Sequence, residues 1–161
     1  MIQKSEFQIK WEKHQNECFN KSEKEENVAT KCFFHDLFIE AIEKDNYTLF
    51  RDSVEQLGIS WHVKRNIPDE QFENFATYLW ENKGKMQKGE YHYWESDDYK
   101  SLNFNNTYFL KVSRPYSYES KVCFVINPQG YYLIYDSYNC EALVKLHGKK
   151  WDDVSLKNFH Q

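Results

Sequence analysis

The sequence predicts an α+β fold, a helical N-terminal half over residues about 5–84 packed on an antiparallel sheet built from residues 106–146. Three observations carry this expectation. Apolar side chains recur at helical spacing up to Gly84. After residue 104 the pattern shifts to short runs of β-branched and aromatic residues. Between two of those runs stands Asn127-Pro128-Gln129-Gly130, a turn of hairpin length. Helices first and strands later place the chain in the α+β class with an antiparallel sheet. No repeat or low-complexity linker divides residues 1–161, so one domain is expected.

Ser5-Glu6-Phe7-Gln8 has the form of a capping box, and Phe7, Trp11, His14 and Cys18 then fall on one helical stripe. Ser22-Glu23-Lys24-Glu25 repeats the capping form ahead of Val28, Cys32, Phe33, Leu37, Ala41 and Ile42, which predicts a long helix ending near Lys44. Leu49, Phe50, Val54 and Leu57 predict a third helix, with Gly58 at its C-terminal cap. The alternation of Ile59, Trp61 and Val63 predicts a short strand or extended link. Pro68 then opens a helix whose buried stripe is Phe72, Phe75, Ala76, Leu79 and Trp80 and whose stop is Gly84. Residues 85–103 have no clean period. Tyr108 to Val112 reads as a strand. Val122–Ile126 and Tyr131–Tyr135 read as the two arms of a hairpin, and Ala142 to Leu146 as a further strand. Trp151 to Phe159 reads as a short closing helix.

Composition narrows the function classes. The chain has 161 residues, 25 acidic and 21 basic, with a net charge of -4. A mildly acidic chain with three arginines, Arg51, Arg65 and Arg114, lacks the basic signature of a nucleic-acid binder. No apolar run approaches the roughly 18 to 20 residues of a membrane span, and no signal peptide is expected from Met1 onward. These features lead to the expectation of a cytoplasmic protein. Aromatic residues reach 18%, with twelve Tyr, twelve Phe and five Trp. Together with abundant Lys and Asn this fits an AT-rich gene, as in accessory bacterial DNA. The charge is uneven: residues 36–56 hold six acids and two bases, and residues 89–99 hold four acids and no base.

Catalytic and metal chemistry finds thin support. His14-x3-Cys18 and Cys32-x2-His35 place four zinc-type side chains at one-face spacing on two helices. Their order and the missing CxxC are atypical of zinc sites, and buried cysteine is common, so core packing is the expected role. Cys140 with Asp136 and His147 could be drawn as a nucleophile set, yet closeness in sequence does not assemble a catalytic site. No phosphate-binding glycine motif is present. The paired carboxylates Asp97-Asp98 and Asp152-Asp153 are expected to face solvent. The expectation is therefore no enzyme, no bound metal and no cofactor.

Residues 89–99, Gly-Glu-Tyr-His-Tyr-Trp-Glu-Ser-Asp-Asp-Tyr, have a different character, with aromatics and acids and no aliphatic side chain. Tyr and Trp supply large, low-entropy contact area and dominate binding hot spots. Acids around them favour a basic partner and speed its encounter. Glu90, Tyr91, Tyr93, Trp94, Glu95, Asp97, Asp98 and Tyr99 are the expected partner-binding residues, with the acidic stretch 36–56 as the next candidate. Arg114–Glu119, read as a turn between strands, has a weaker version of the same character.

The Val122–Tyr135 hairpin, the Tyr135-Asp136-Ser137 that follows it and the tail Trp151-Asp152-Asp153-Val154 are similar in style to elements of bacterial toxin immunity proteins. In general character the chain resembles the contact-dependent inhibition and polymorphic-toxin types. That resemblance implies a protein that binds and neutralises one cognate toxin, often a basic nuclease, by protein–protein contact alone. The alternatives are a small cytosolic enzyme with a His, Cys or carboxylate site, and another inhibitor or adaptor such as a phage anti-defence protein.

Overall fold

A computed structural model describes residues 2–92 and 115–130, and beyond them positions 132, 134, 139, 142 and 145. Among these described residues the secondary structure is helical and contains no strand. The expected α+β architecture is thereby corrected to a helical one. The elements are α1 (Glu6–Cys18), α2 (Glu23–Glu43), α3 (Tyr47–Ser60), a 3-10 turn (Lys64–Asn66), α4 (Asp69–Glu81), α5 (Lys83–Lys88) and α6 (Tyr116–Ile126).

The first two helices start where the capping signals put them. Ser5 Oγ accepts from the Gln8 amide at 3.2 Å, and Gln8 Oε1 accepts from the Ser5 amide at 2.9 Å, a closed capping box. Ser22 Oγ accepts from the Glu25 amide at 3.3 Å, and Glu23, Glu25 and Glu26 oppose the positive end of the α2 dipole. Only the second half of α2 is interior, through Phe34, Leu37, Phe38 and Ala41 at i, i+3, i+4, i+7. Asp45, at φ 50°, turns the chain, and Asn46 Oδ1 accepts from the Leu49 amide at 3.0 Å to start α3.

Gly58 was expected to cap α3, but it lies inside that helix. A Cβ there would stand 2.1 Å from the Tyr118 hydroxyl oxygen, so the glycine makes room for the phenol of α6. The Tyr118 hydroxyl donates to the Val54 carbonyl one turn earlier. The helix runs on through Ile59, and the Val63 amide closes back on the Gly58 carbonyl at 2.8 Å. The expected strand at Ile59, Trp61 and Val63 is thus the last turn of α3 and a turn beyond it. In α4 Phe72, Phe75, Ala76 and Leu79 of the expected stripe are buried, joined by Gln71 and Tyr78, whereas Trp80 is half-buried. Gly84 does not stop the chain; it belongs to α5, and the stop is Gly89 at φ 72°, where the Glu90 amide reaches the Lys85 carbonyl at 2.8 Å.

The largest correction is at residues 122–126. Val122–Ile126, expected as the first arm of a hairpin, is the C-terminal half of α6. Tyr118, Glu119, Ser120, Val122, Cys123, Val125 and Ile126 are all buried, so this helix is enclosed around most of its circumference. A helix buried on nearly all sides has no amphipathic stripe to announce it, and its β-branched run matches a buried strand equally well. Pro128, Gln129 and Gly130 end the helix instead of reversing a hairpin. Asn127 Nδ2 donates to the carbonyls of Met86 at 3.3 Å and Gln87 at 2.9 Å, binding this end to the last turn of α5. Positions 142 and 145, expected in a strand, are helical. The expected strand at 108–112, the second arm 131–135 apart from positions 132 and 134, and the closing helix 151–159 lie outside the described residues.

One buried cluster draws on all six helices, from Phe7 through Phe34, Phe50, Leu57, Phe75 and Met86 to Tyr118 and Ile126. Helix α6 packs against α2, α3 and α5. His35 on α2 donates from Nδ1 to the Val125 carbonyl at 2.7 Å, so α6 is held to α2 by a polar contact as well as by packing.

Candidate functional site

The partner-binding residues expected at 89–99 divide sharply. Glu90 is exposed. Tyr91 is 4% exposed and belongs to the core: its hydroxyl donates to the Glu119 carboxylate, and its amide donates to the Tyr132 hydroxyl at 3.0 Å. Burial, followed by the negative charge of Glu119, pushes the Tyr91 phenol far above its ordinary range. Tyrosine serves cores and interfaces alike, which is why composition alone placed Tyr91 at the surface. Its partner Glu119, 0% exposed, was read as part of a polar turn because nothing near it signalled a helix. Tyr93, Trp94, Glu95, Asp97, Asp98 and Tyr99 lie outside the described residues, as do Cys140, Asp136 and His147.

The four zinc-type residues do not converge. His14 and Cys18 meet, Nε2 to Sγ at 3.7 Å, and His14 Nε2 is 3.0 Å from Thr30 Oγ1. The imidazole stacks on Phe33 with ring centroids 4.3 Å apart, and burial holds its pKa below the ordinary value against the opposing charges of Glu17 and Glu26. His35, by contrast, turns toward α6, and Cys32 is exposed. Among the described residues no three His, Cys, Asp or Glu side chains gather as metal ligands would. Beside His14, a cleft of ≈ 230 Å³ opens between α1 and α2, floored by Phe33 and Leu37. Its rim is occupied by the chain's own pairs, Lys10 with Glu40 at 3.1 Å and Lys13 with Glu17 at 3.9 Å.

The acidic stretch 36–56 leads to a more ordered surface. Tyr47, Arg51 and Glu55 follow one another at i, i+4, i+8 along α3, opposite Glu73, Thr77 and Trp80 of α4. Arg51 gathers three carboxylates: Glu73 at 2.7 Å through Nε, and Glu55 at 2.5 Å and Asp52 at 3.1 Å through one terminal nitrogen. One guanidinium against three carboxylates leaves this cluster at a net -2. Partial burial opposes the Arg51 charge, yet the hydrogen bonds to Glu73 and Asp52 and the charge of Glu55 outweigh it and hold the pKa above the ordinary value. The guanidinium also lies 5.1 Å from the centroid of the Phe72 ring.

Tyr47 completes the face. Its hydroxyl donates to Glu73 at 3.3 Å and lies 3.1 Å from Thr77 Oγ1. Its ring meets Trp80 edge-on at 5.8 Å, and Trp80 in turn meets the buried Phe50 at 5.1 Å. Tyr47, Arg51 and Trp80 are each half-buried, so every one presents an exposed part fixed by a buried part. Separate surface ion pairs contribute about 0–1 kcal/mol. The cluster's main effect is therefore to hold the side chains in place.

Compared with known proteins, the chain matches no family model, no curated protein and no solved structure. Function rests on the surface itself. Tyr, Trp and Arg are the residue types most enriched in binding hot spots, and here they are pre-organised within an acidic field. The α3 half of it falls in the acidic stretch that charge counting flagged. The α4 half was missed because Trp80 was assigned wholly to the core, although Glu70, Glu73, Thr77 and Glu81 mark an exposed row at helical spacing. No described helix is long and apolar enough to cross a membrane.

Proposed function

We propose that this chain works by binding another protein, as an immunity-type inhibitor that neutralises a basic, nuclease-like toxin. The observation that carries the reading is the α3–α4 face, where Tyr47, Arg51 and Trp80 are held among Asp52, Glu55 and Glu73. A fixed acidic surface steers a basic partner toward it, and half-buried aromatics supply contact area at little entropic cost. Occlusion of a nuclease's basic substrate groove by such a face requires no cofactor and no reactive side chain. Glu90 and the residues 93–99 are a second candidate part of the same contact.

Co-expression tests this reading. Cells producing the toxin encoded beside this gene should survive when the chain is present, and the two proteins should elute together in gel filtration. Glu73→Lys and Trp80→Ala chains that remain folded should lose most of that protection. A toxin left fully active by the wild-type chain would overturn the immunity reading. Equal protection by both variants would move the contact away from α3 and α4.

A further inference from the structure

We infer that the outward face of Trp80 is a seat for an arginine of the bound protein, and that Lys83 holds this seat in the free chain. The inference rests on the binding role proposed above and names the chemistry recognised there. Lys83 Nζ stands 3.9 Å from the centroid of the Trp80 ring, well inside the distance of roughly 6 Å at which the ring quadrupole attracts a cation. The same ammonium donates to the Trp80 carbonyl at 3.3 Å, so a single long hydrogen bond and an i, i+3 tether keep it there. The ring is braced from beneath by Phe50 and at its edge by Tyr47, whose hydroxyl is bonded to Glu73. A cation of the chain itself already rests on this ring.

An incoming arginine suits the seat better than lysine does. Its guanidinium is planar, stacks on an aromatic face and sheds water more readily than an ammonium. The chain uses an aromatic face in this way two turns away as well, where Arg51 and Lys64 both lie over Phe72, 5.1 and 4.7 Å from its centroid. Among the described residues Lys83 makes no ion pair that would hold it elsewhere, so when displaced it swings into solvent. It therefore acts as a threshold: only a cation that binds the ring more strongly displaces it.

An octa-arginine peptide is the probe, titrated calorimetrically at low salt into the full chain. Lys83→Gln should bind it about three-fold or more tighter than wild type. Lys85→Gln, which removes the same charge from an exposed site in the same helix, controls for electrostatics and should gain less. In a Trp80→Leu background that unfolds cooperatively, the advantage of Lys83→Gln over Lys85→Gln should vanish. If Trp80→Leu does not fold, the comparison of the two lysine variants decides alone. Equal binding by Lys83→Gln and Lys85→Gln overturns the inference. The immunity reading is judged separately by toxin protection, so peptide binding with the expected order and no protection would retain the arginine seat and reject the toxin as its partner.

Discussion

The hydroxyl of Tyr118 occupies the space beside Gly58 that any other residue would fill with a Cβ. Helices α3 and α6 thereby approach through a glycine, and the phenol reaches past it to the Val54 carbonyl. The Tyr118 side chain is fully buried, and burial raises its pKa well above the ordinary value.

Gly58→Ala should therefore destabilise the protein by about 1–3 kcal/mol, the usual cost of overpacking a filled core. Helix propensity alone would make the same change favourable by about 1 kcal/mol, so the sign separates the two effects. Urea unfolding measures it. A stabilised Gly58→Ala protein would show that Tyr118 does not lie there.

The segment Tyr116–Ile126 should give helical chemical shifts and sequential amide contacts by NMR, together with slow amide exchange from Val122 onward. Extended-chain shifts at Val122–Ile126 would restore the hairpin and remove α6.

Tyr91→Phe should cost about 1–3 kcal/mol, because it removes a buried hydrogen bond to the Glu119 carboxylate. Loss of toxin protection without any change in the unfolding midpoint would instead place Tyr91 at the contact surface.

High pH should unfold the chain in a defined direction. Burial pushes Tyr132 up to about 12, and raises Tyr91 and Tyr118 well above their ordinary range, against an unfolded value of about 10. The folded state thus retains protons that the unfolded state releases. Stability is full below pH about 10 and is lost progressively as pH rises above it. Absorbance at 295 nm, followed with circular dichroism, should show these phenols ionising together with unfolding. Their ionisation in a chain that keeps its helical signal would contradict the burial.

Arg51→Met should weaken the fold by about 1 kcal/mol at low salt and less at high salt, since three carboxylates would then face one another unneutralised. The stability difference between the variant and wild type, compared across salt concentrations, is the readout. A difference that does not change with salt would mean that Arg51 acts through its packing on Phe72 alone.

Helices α1 to α4 were legible because local signals agreed with the final structure. Ser5 and Ser22 cap where their signals stand, and Phe72, Phe75, Ala76 and Leu79 repeat at 3.6-residue spacing; in α2 the expected Leu37 and Ala41 are buried, but Val28 and Cys32 are exposed and Phe34 and Phe38 complete the buried stripe instead. Gly58 misled because glycine marks a helix end only when nothing else needs its small size, and Gly58 is needed by a residue sixty positions later; Gly84 stands in α5 with open space around it, and nothing in its surroundings requires a glycine. Helix α6 was illegible for the reason that makes it central: a segment buried on most sides loses the polar face by which a helix is recognised. Of the candidate surface, charge counting found Arg51, Asp52 and Glu55, but the pairing of α3 with α4 that adds Glu73 and Trp80 is a tertiary fact.

The histidine at the contact of α1 with α2 gives acid a defined place to act. His14 is enclosed by Phe33, Trp11 and Cys18, and its folded pKa lies below the unfolded value, so its contribution is present above pH about 6.5 and falls away as the pH drops. Acidification accordingly loosens α1 from α2 at this edge of the molecule.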